Sequence, residues 1–133
     1  MGQPAAKQGD QVTAVDIHIV MVPSPGGPVP TPLPHPFSGM LDGGLSMNVK
    51  IMGKLAATVG STANNLPPHL PTPPGTVFQI PPLNQATIMR GSATVLINGK
   101  PAARAGDQTQ TCADPVPIMG ATLIAVGSVF IGG

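Results

Sequence analysis

Leu45, Met47, Val49 and Ile51 alternate with Ser46, Asn48 and Lys50, the period-two pattern of a strand with one buried face. The stretch ends at Met52-Gly53-Lys54. A second copy, Val95-Leu96-Ile97-Asn98-Gly99-Lys100, carries Asn-Gly, the strongest two-residue hairpin signal, because both central residues adopt positive φ. Residues 10–22 form the longest run free of Gly and Pro, and they are rich in Val and Ile. Elsewhere Pro recurs too often for ordinary helices, since it removes a backbone donor and clashes with the preceding turn. The pattern predicts an all-β chain of short strands and hairpins.

Each hairpin runs into an Ala-Ala pair. Pro4-Ala5-Ala6-Lys7-Gln8-Gly9-Asp10-Gln11 and Pro101-Ala102-Ala103-Arg104-Ala105-Gly106-Asp107-Gln108 are two copies of one octapeptide, and Leu55-Ala56-Ala57-Thr58-Val59-Gly60-Ser61-Thr62 is a weaker third. The lead-in to the first copy stands at the far end, as Val129-Phe130-Ile131-Gly132-Gly133. A repeat found in two halves at opposite ends predicts a single domain over residues 1–133. Three units close around an axis, the ends lie side by side, and the Ala pairs let strands approach near that axis. Two long connections break the symmetry. Residues 23–36 and 66–82 hold seven Pro each and no charge. They are expected as extended, polyproline-like segments without a hydrogen-bond ladder, packing Leu33, Phe37, Leu66, Leu70 and Phe78.

Composition narrows the function classes. Gly (17) and Pro (18) are abundant, yet 41% of the 133 residues are hydrophobic and the net charge is +1, so the chain lacks the polar, highly charged signature of disorder. Only 8% of residues are charged, and none is Glu. With no Trp, no Tyr and no cationic excess, the sequence offers nucleic acid neither an electrostatic footprint nor a stacking platform. One Cys excludes an internal disulfide framework. The N-terminus shows no apolar core of a signal peptide, so synthesis in the cytoplasm is expected. Residues 115–133 are uncharged, but Pro115, Pro117 and four Gly break them into strand-like pieces rather than one membrane-spanning helix.

The three His residues and the one Cys are the candidate chemistry: His18, His35, His69 and Cys112. Their number matches a closed tetrahedral Zn²⁺ site, although their spacing fits no zinc finger. The repeat register adds to this. His18 and His69 each lie nine residues after the repeat glycine (Gly9, Gly60), and Cys112 lies six after Gly106. Threefold closure would bring these positions to one vertex, with His35 arriving from the first connection as the fourth ligand. Asp16 and Asp114, each two residues from a ligand, could orient an imidazole, but solvated loop carboxylates are the expectation. Asp10 and Asp107 occupy equivalent repeat positions and are expected in turns. A hydrolytic zinc site commonly adds a carboxylate base, and the chain has no Glu. No Gly-x-Ser-x-Gly elbow, phosphate-binding loop or dinucleotide fingerprint is present.

Pro101-Ala102-Ala103-Arg104-Ala105-Gly106-Asp107, its copy at residues 4–10 and the strand-like lead-in at residues 94–100 resemble the PAAR-repeat family, and the resemblance covers nearly the whole chain. The Leu55-Ala56-Ala57-Thr58 copy, without Pro or a basic residue, and the proline-rich insertions depart from the pattern. The resemblance implies a small cone of short strands in threefold pseudo-symmetry, with a metal, usually zinc and otherwise iron, near the point. It matches His18, His35, His69 and Cys112 to the ligands. It also implies a non-enzymatic tip that caps a trimeric (VgrG-like) β-helical spike of a type VI secretion system, extracellular injection particle or phage-like tail. Such a tip helps to puncture a membrane and can carry an effector. A metal-dependent hydrolase using the same residues and a β-solenoid adhesin module are the alternative readings.

Overall fold

The computed structural model describes residues 2–113 and 120–133. Among them there is no helix. The strands are β1 (Gln3–Pro4), β2 (Gln11–Val22), β3 (Val29–Gly43), β4 (Lys50–Ile51), β5 (Lys54–Leu55), β6 (Thr62–Asn65), β7 (Val77–Phe78), β8 (Gln85–Ile88), β9 (Leu96–Ile97), β10 (Lys100–Pro101), β11 (Thr109–Gln110), β12 (Thr122–Ile124) and β13 (Phe130–Ile131).

Three two-stranded corners carry the repeat. β4 pairs with β5 and β9 with β10, each across a turn whose central residues have positive φ: Met52 and Gly53 in one, Asn98 and Gly99 in the other. The third corner is assembled from the two ends of the chain, β1 against β13, with Gln3 opposite Ile131. The Ala pairs meet on the axis between them. Ala6 N–H donates to Ala103 O (2.9 Å), Ala103 N–H to Ala57 O (3.1 Å) and Ala57 N–H to Ala6 O (3.0 Å), a closed ring of three hydrogen bonds. All six repeat alanines are buried. A larger side chain there would hold the three backbones apart. Below the ring, Ile51, Ile97 and Ile131 pack together with Ala5, Ala56 and Ala102.

The turns that follow are equivalent too. Gly9, Gly60 and Gly106 adopt φ of 90°, 94° and 84°, and their N–H groups donate to Leu41, Ile88 and Leu123 carbonyls. Asp10, Ser61 and Asp107 each accept the backbone N–H three residues earlier, at 3.0, 3.0 and 2.7 Å. As expected from the sequence, Asp10 and Asp107 serve turns. They also pair with Lys7 (3.1 Å) and Arg104 (2.8 Å).

From these turns rises a seven-stranded antiparallel sheet in the order β11-β8-β6-β3-β2-β12, with β7 also on β2. It curls until its two ends meet at a single bridge, Thr109 with Ala121. Val12, Phe37, Leu41, Ile88 and Leu123 fill the interior, each fully or almost fully buried. Burying side chains of this size stabilises the fold by about 1.5–3 kcal/mol apiece. The result is the expected all-β cone with pseudo-threefold symmetry.

The first proline-rich stretch departs from expectation: most of it is β3, hydrogen-bonded along β2 in a long hairpin that opposes Val22 to Val29 and Gln11 to Met40. Pro30, Pro32, Pro34 and Pro36 alternate, so their missing N–H groups all lie on the edge away from β2. The register agrees, since they oppose Met21, Ile19, Ile17 and Val15. The Met21 and Ile19 carbonyls are instead taken by Thr76 and Gln79 on the other edge of β2. Proline on a non-bonding edge costs the ladder nothing. The second stretch, residues 66–82, is loop apart from β7 and covers the open edge of β3: Leu66 N–H donates to Ser38 O, and Thr72 Oγ1–H to Pro34 O.

Candidate metal centre

The even-numbered side chains at the centre of β2 point inward, so Asp16 and His18 project from the same face and are fully buried. The β2–β3 register sets His35 directly opposite Asp16. His69 comes from the covering loop, where its N–H donates to Asn84 Oδ1 (2.7 Å). Cys112 follows β11. One donor atom from each of Asp16, His18, His69 and Cys112 lies within 4.8 Å of the others. Asp16 Oδ2 is 3.1 Å from His69 Nε2, 3.4 Å from Cys112 Sγ and 4.0 Å from His18 Nε2, and the sulfur is 3.7 Å from His18 Nε2.

Of the four residues expected as ligands, the fold thus gathers the donors of His18, His69 and Cys112. The His35 ring packs beside them, its centroid 5.3 Å from that of His18 and 5.7 Å from that of His69. Its nitrogens are engaged elsewhere: Nδ1 donates to Leu33 O (2.8 Å) and Nε2 accepts from Thr72 N–H (3.1 Å). Phe78 sits against His18 and His35, and Phe37 against His69.

Asp16 corrects the sequence expectation. It is no solvated loop carboxylate but a fully buried strand residue at the middle of the group. The available signal was the Asp-x-His spacing inside an alternating strand, which puts both side chains on one face. Asp114, the other flanking carboxylate, lies outside the described residues.

Burial favours a neutral Asp16. Hydrogen bonds from His69 Nε2, Thr111 Oγ1 and Cys112 Sγ outweigh it, and the carboxyl titrates below its ordinary value. Cys112 goes the other way: burial, then the neighbouring Asp16 charge, push its thiol up to about 11, against the pull of the Asn84 and Gln85 backbone amides. Burial lowers His35. Neutral imidazole, thiolate sulfur and carboxylate are the donors that bind transition metals and zinc. Tetrahedral bonds of about 2.0–2.3 Å hold donors about 3.3–3.6 Å apart, close to the separations seen here. The cluster therefore fits a metal ion.

The raised thiol gives the metal-free protein a testable pH profile. A group whose folded-state pKa lies above its unfolded value supports the fold below the unfolded value and loses that support as pH rises. Metal-free protein should therefore lose up to about 3 kcal/mol between roughly pH 9 and 11. Thermal melts should show a smaller loss for Cys112→Ser across that window, since the thiol's share is removed while the lysines still titrate. Identical profiles for the two proteins would contradict the burial of the thiol.

A curled all-β cone on a threefold ring of strands, with a buried group of donors that could hold a metal ion, is the class that fold and site define. The sequence model of the PAAR motif matches residues 20–117 and again residues 81–133, and the chain belongs to that family. The membership sets it among the spike-tip proteins of contractile injection systems, a family of structural, metal-binding proteins. No curated protein matches the chain.

Proposed function

We propose that the chain is a zinc-stapled tip that caps a trimeric β-helical spike, one chain to three, and leads it through a target membrane. The closed Ala6–Ala57–Ala103 ring carries this reading, because it turns one polypeptide into three matching corners. A trimeric β-helix ends in three exposed strand edges, which associate wrongly unless covered. The corners offer one short hairpin to each edge, together with exposed Met52, Leu96 and Phe130.

The donor group favours a structural over a hydrolytic role. All four donor residues are 8% exposed or less, whereas a catalytic zinc keeps a position open to water and substrate. The meeting of β1 and β13 favours a closed cap over the open stack of a solenoid adhesin. The sulfur and imidazole donors favour zinc, with iron as the alternative. Few charges leave few ionic groups to desolvate when the tip enters a bilayer. Made in the cytoplasm, the tip would ride on the assembled particle to the outside or into the target cell, with or without an effector.

Mixing the protein with a trimeric β-helical spike and measuring the mass of the complex by light scattering tests the stoichiometry. One chain per trimer is expected. Three per trimer, or no binding, would contradict the capping role.

A further inference from the structure

A homotrimer repeats each of its side chains three times, so a cap with three corners can answer it only through chemistry the corners share. We infer that the capped end of the spike presents a ring of three carboxylates, one from each subunit, to Lys54, Lys100 and Gln3. This rests on the capping reading and adds the chemistry that the capped end must carry.

The strand register makes these three positions equivalent. Lys54 lies opposite Ile51, Lys100 opposite Ile97 and Gln3 opposite Ile131, so each stands beside one isoleucine of the axial cluster. All three are exposed. What their side chains have in common is a nitrogen that donates hydrogen bonds, an ammonium at two corners and an amide at the third. An ammonium cannot accept, so a donor repeated on the spike would go unmatched at two corners. An apolar side chain would leave all three donors unpaired. An acceptor suits every corner, and two positive charges among the three favour a carboxylate. The neighbouring position differs. Lys50, Leu96 and Phe130 are equivalent to one another and exposed, and they share apolar carbon, Lys50 through its stem.

The distribution of charge agrees. Residues 50–55, 96–101, 130–133 and 3–4 include three lysines and no carboxylate. Asp10 and Asp107 are buried and paired with Lys7 and Arg104. Asp42, exposed on β3, is tied to Asn64 Nδ2 (3.2 Å). Among the described residues, no carboxylate is within ion-pair distance of Lys50, Lys54 or Lys100. The chain's net charge of +1 therefore conceals a base with three unpaired positive charges.

Association kinetics with a trimeric β-helical spike, followed at two ionic strengths, test this. Exposed charge pairs across an interface act mainly on the association rate, and salt screens them. Raising NaCl from about 20 mM to about 500 mM should slow association of the wild-type protein at least about tenfold. The double variant Lys54→Gln, Lys100→Gln keeps three donors but removes two charges. It should melt with the wild type while its salt response falls to about threefold or less. A spike whose terminal carboxylates are changed to amides should lose the response in the same way against the wild-type cap. Arg90→Gln, an exposed cation off the corners, should leave the response unchanged. A spike end without carboxylates, equal rates at both ionic strengths, a double variant with the wild-type response, or an equal effect of Arg90→Gln would each overturn the inference. Capping at one chain per trimer with no salt response would defeat the carboxylate ring alone. No binding at either ionic strength would defeat the capping role as well.

Discussion

Stripping the metal from the wild-type protein should lower its melting temperature by about 12–20 °C. An ion that binds only the folded chain stabilises it by about 4.1 kcal/mol at a free concentration a thousandfold above its Kd. For a chain of this length each kcal/mol moves the midpoint by roughly 3–5 °C. The effect should be large because of what the donors connect. His18 sits on β2, His69 on the loop covering β3, and Cys112 beyond β11, three segments far apart in sequence. Cys112→Ser and His69→Ala should each reduce metal content and melting temperature together. A chelated protein that melts where the loaded one does, or a variant that keeps stoichiometric metal and full stability, would show that the ion is no staple.

Ala57→Leu should be the most damaging single change away from the metal. Ala57 is wholly buried, its N–H donates to Ala6, and its carbonyl accepts from Ala103. Overpacking a tight core costs about 1–3 kcal/mol, occasionally more. Here the added carbons must also spread a ring of hydrogen bonds that three segments share, so a loss of at least about 3 kcal/mol is expected in urea unfolding, with loss of capping in the mass measurement. Leu66→Ala, at a position 69% exposed, should stay within about 0.5 kcal/mol of wild type. A stable, capping-competent Ala57→Leu protein would show that the axis is not close-packed.

The axis was legible because close approach demands alanine, and alanine pairs in a constant register leave a visible mark at residues 5–6, 56–57 and 102–103. Counting from the repeat glycines likewise pointed His18 and His69, nine residues on, and Cys112, six residues on, toward one place. Two features were hidden. The strand through Pro30, Pro32, Pro34 and Pro36 reads as a non-strand until its partner is known, because only pairing reveals which edge lacks donors. Asp16 is the second. Carboxylates are usually solvated, and what reverses that preference is a set of donors, His69, Thr111 and Cys112, more than fifty residues away in sequence.

The three corners share a backbone but not their side chains. Where one carries Lys50 and Lys54, the next has Leu96 and Lys100, and the third has Phe130 and Gln3. Seated on a homotrimer, such a cap would make three chemically identical subunits inequivalent, each meeting a different face. All three rotational settings would remain degenerate, and any cargo attached at one corner would be addressed to a single subunit of the three.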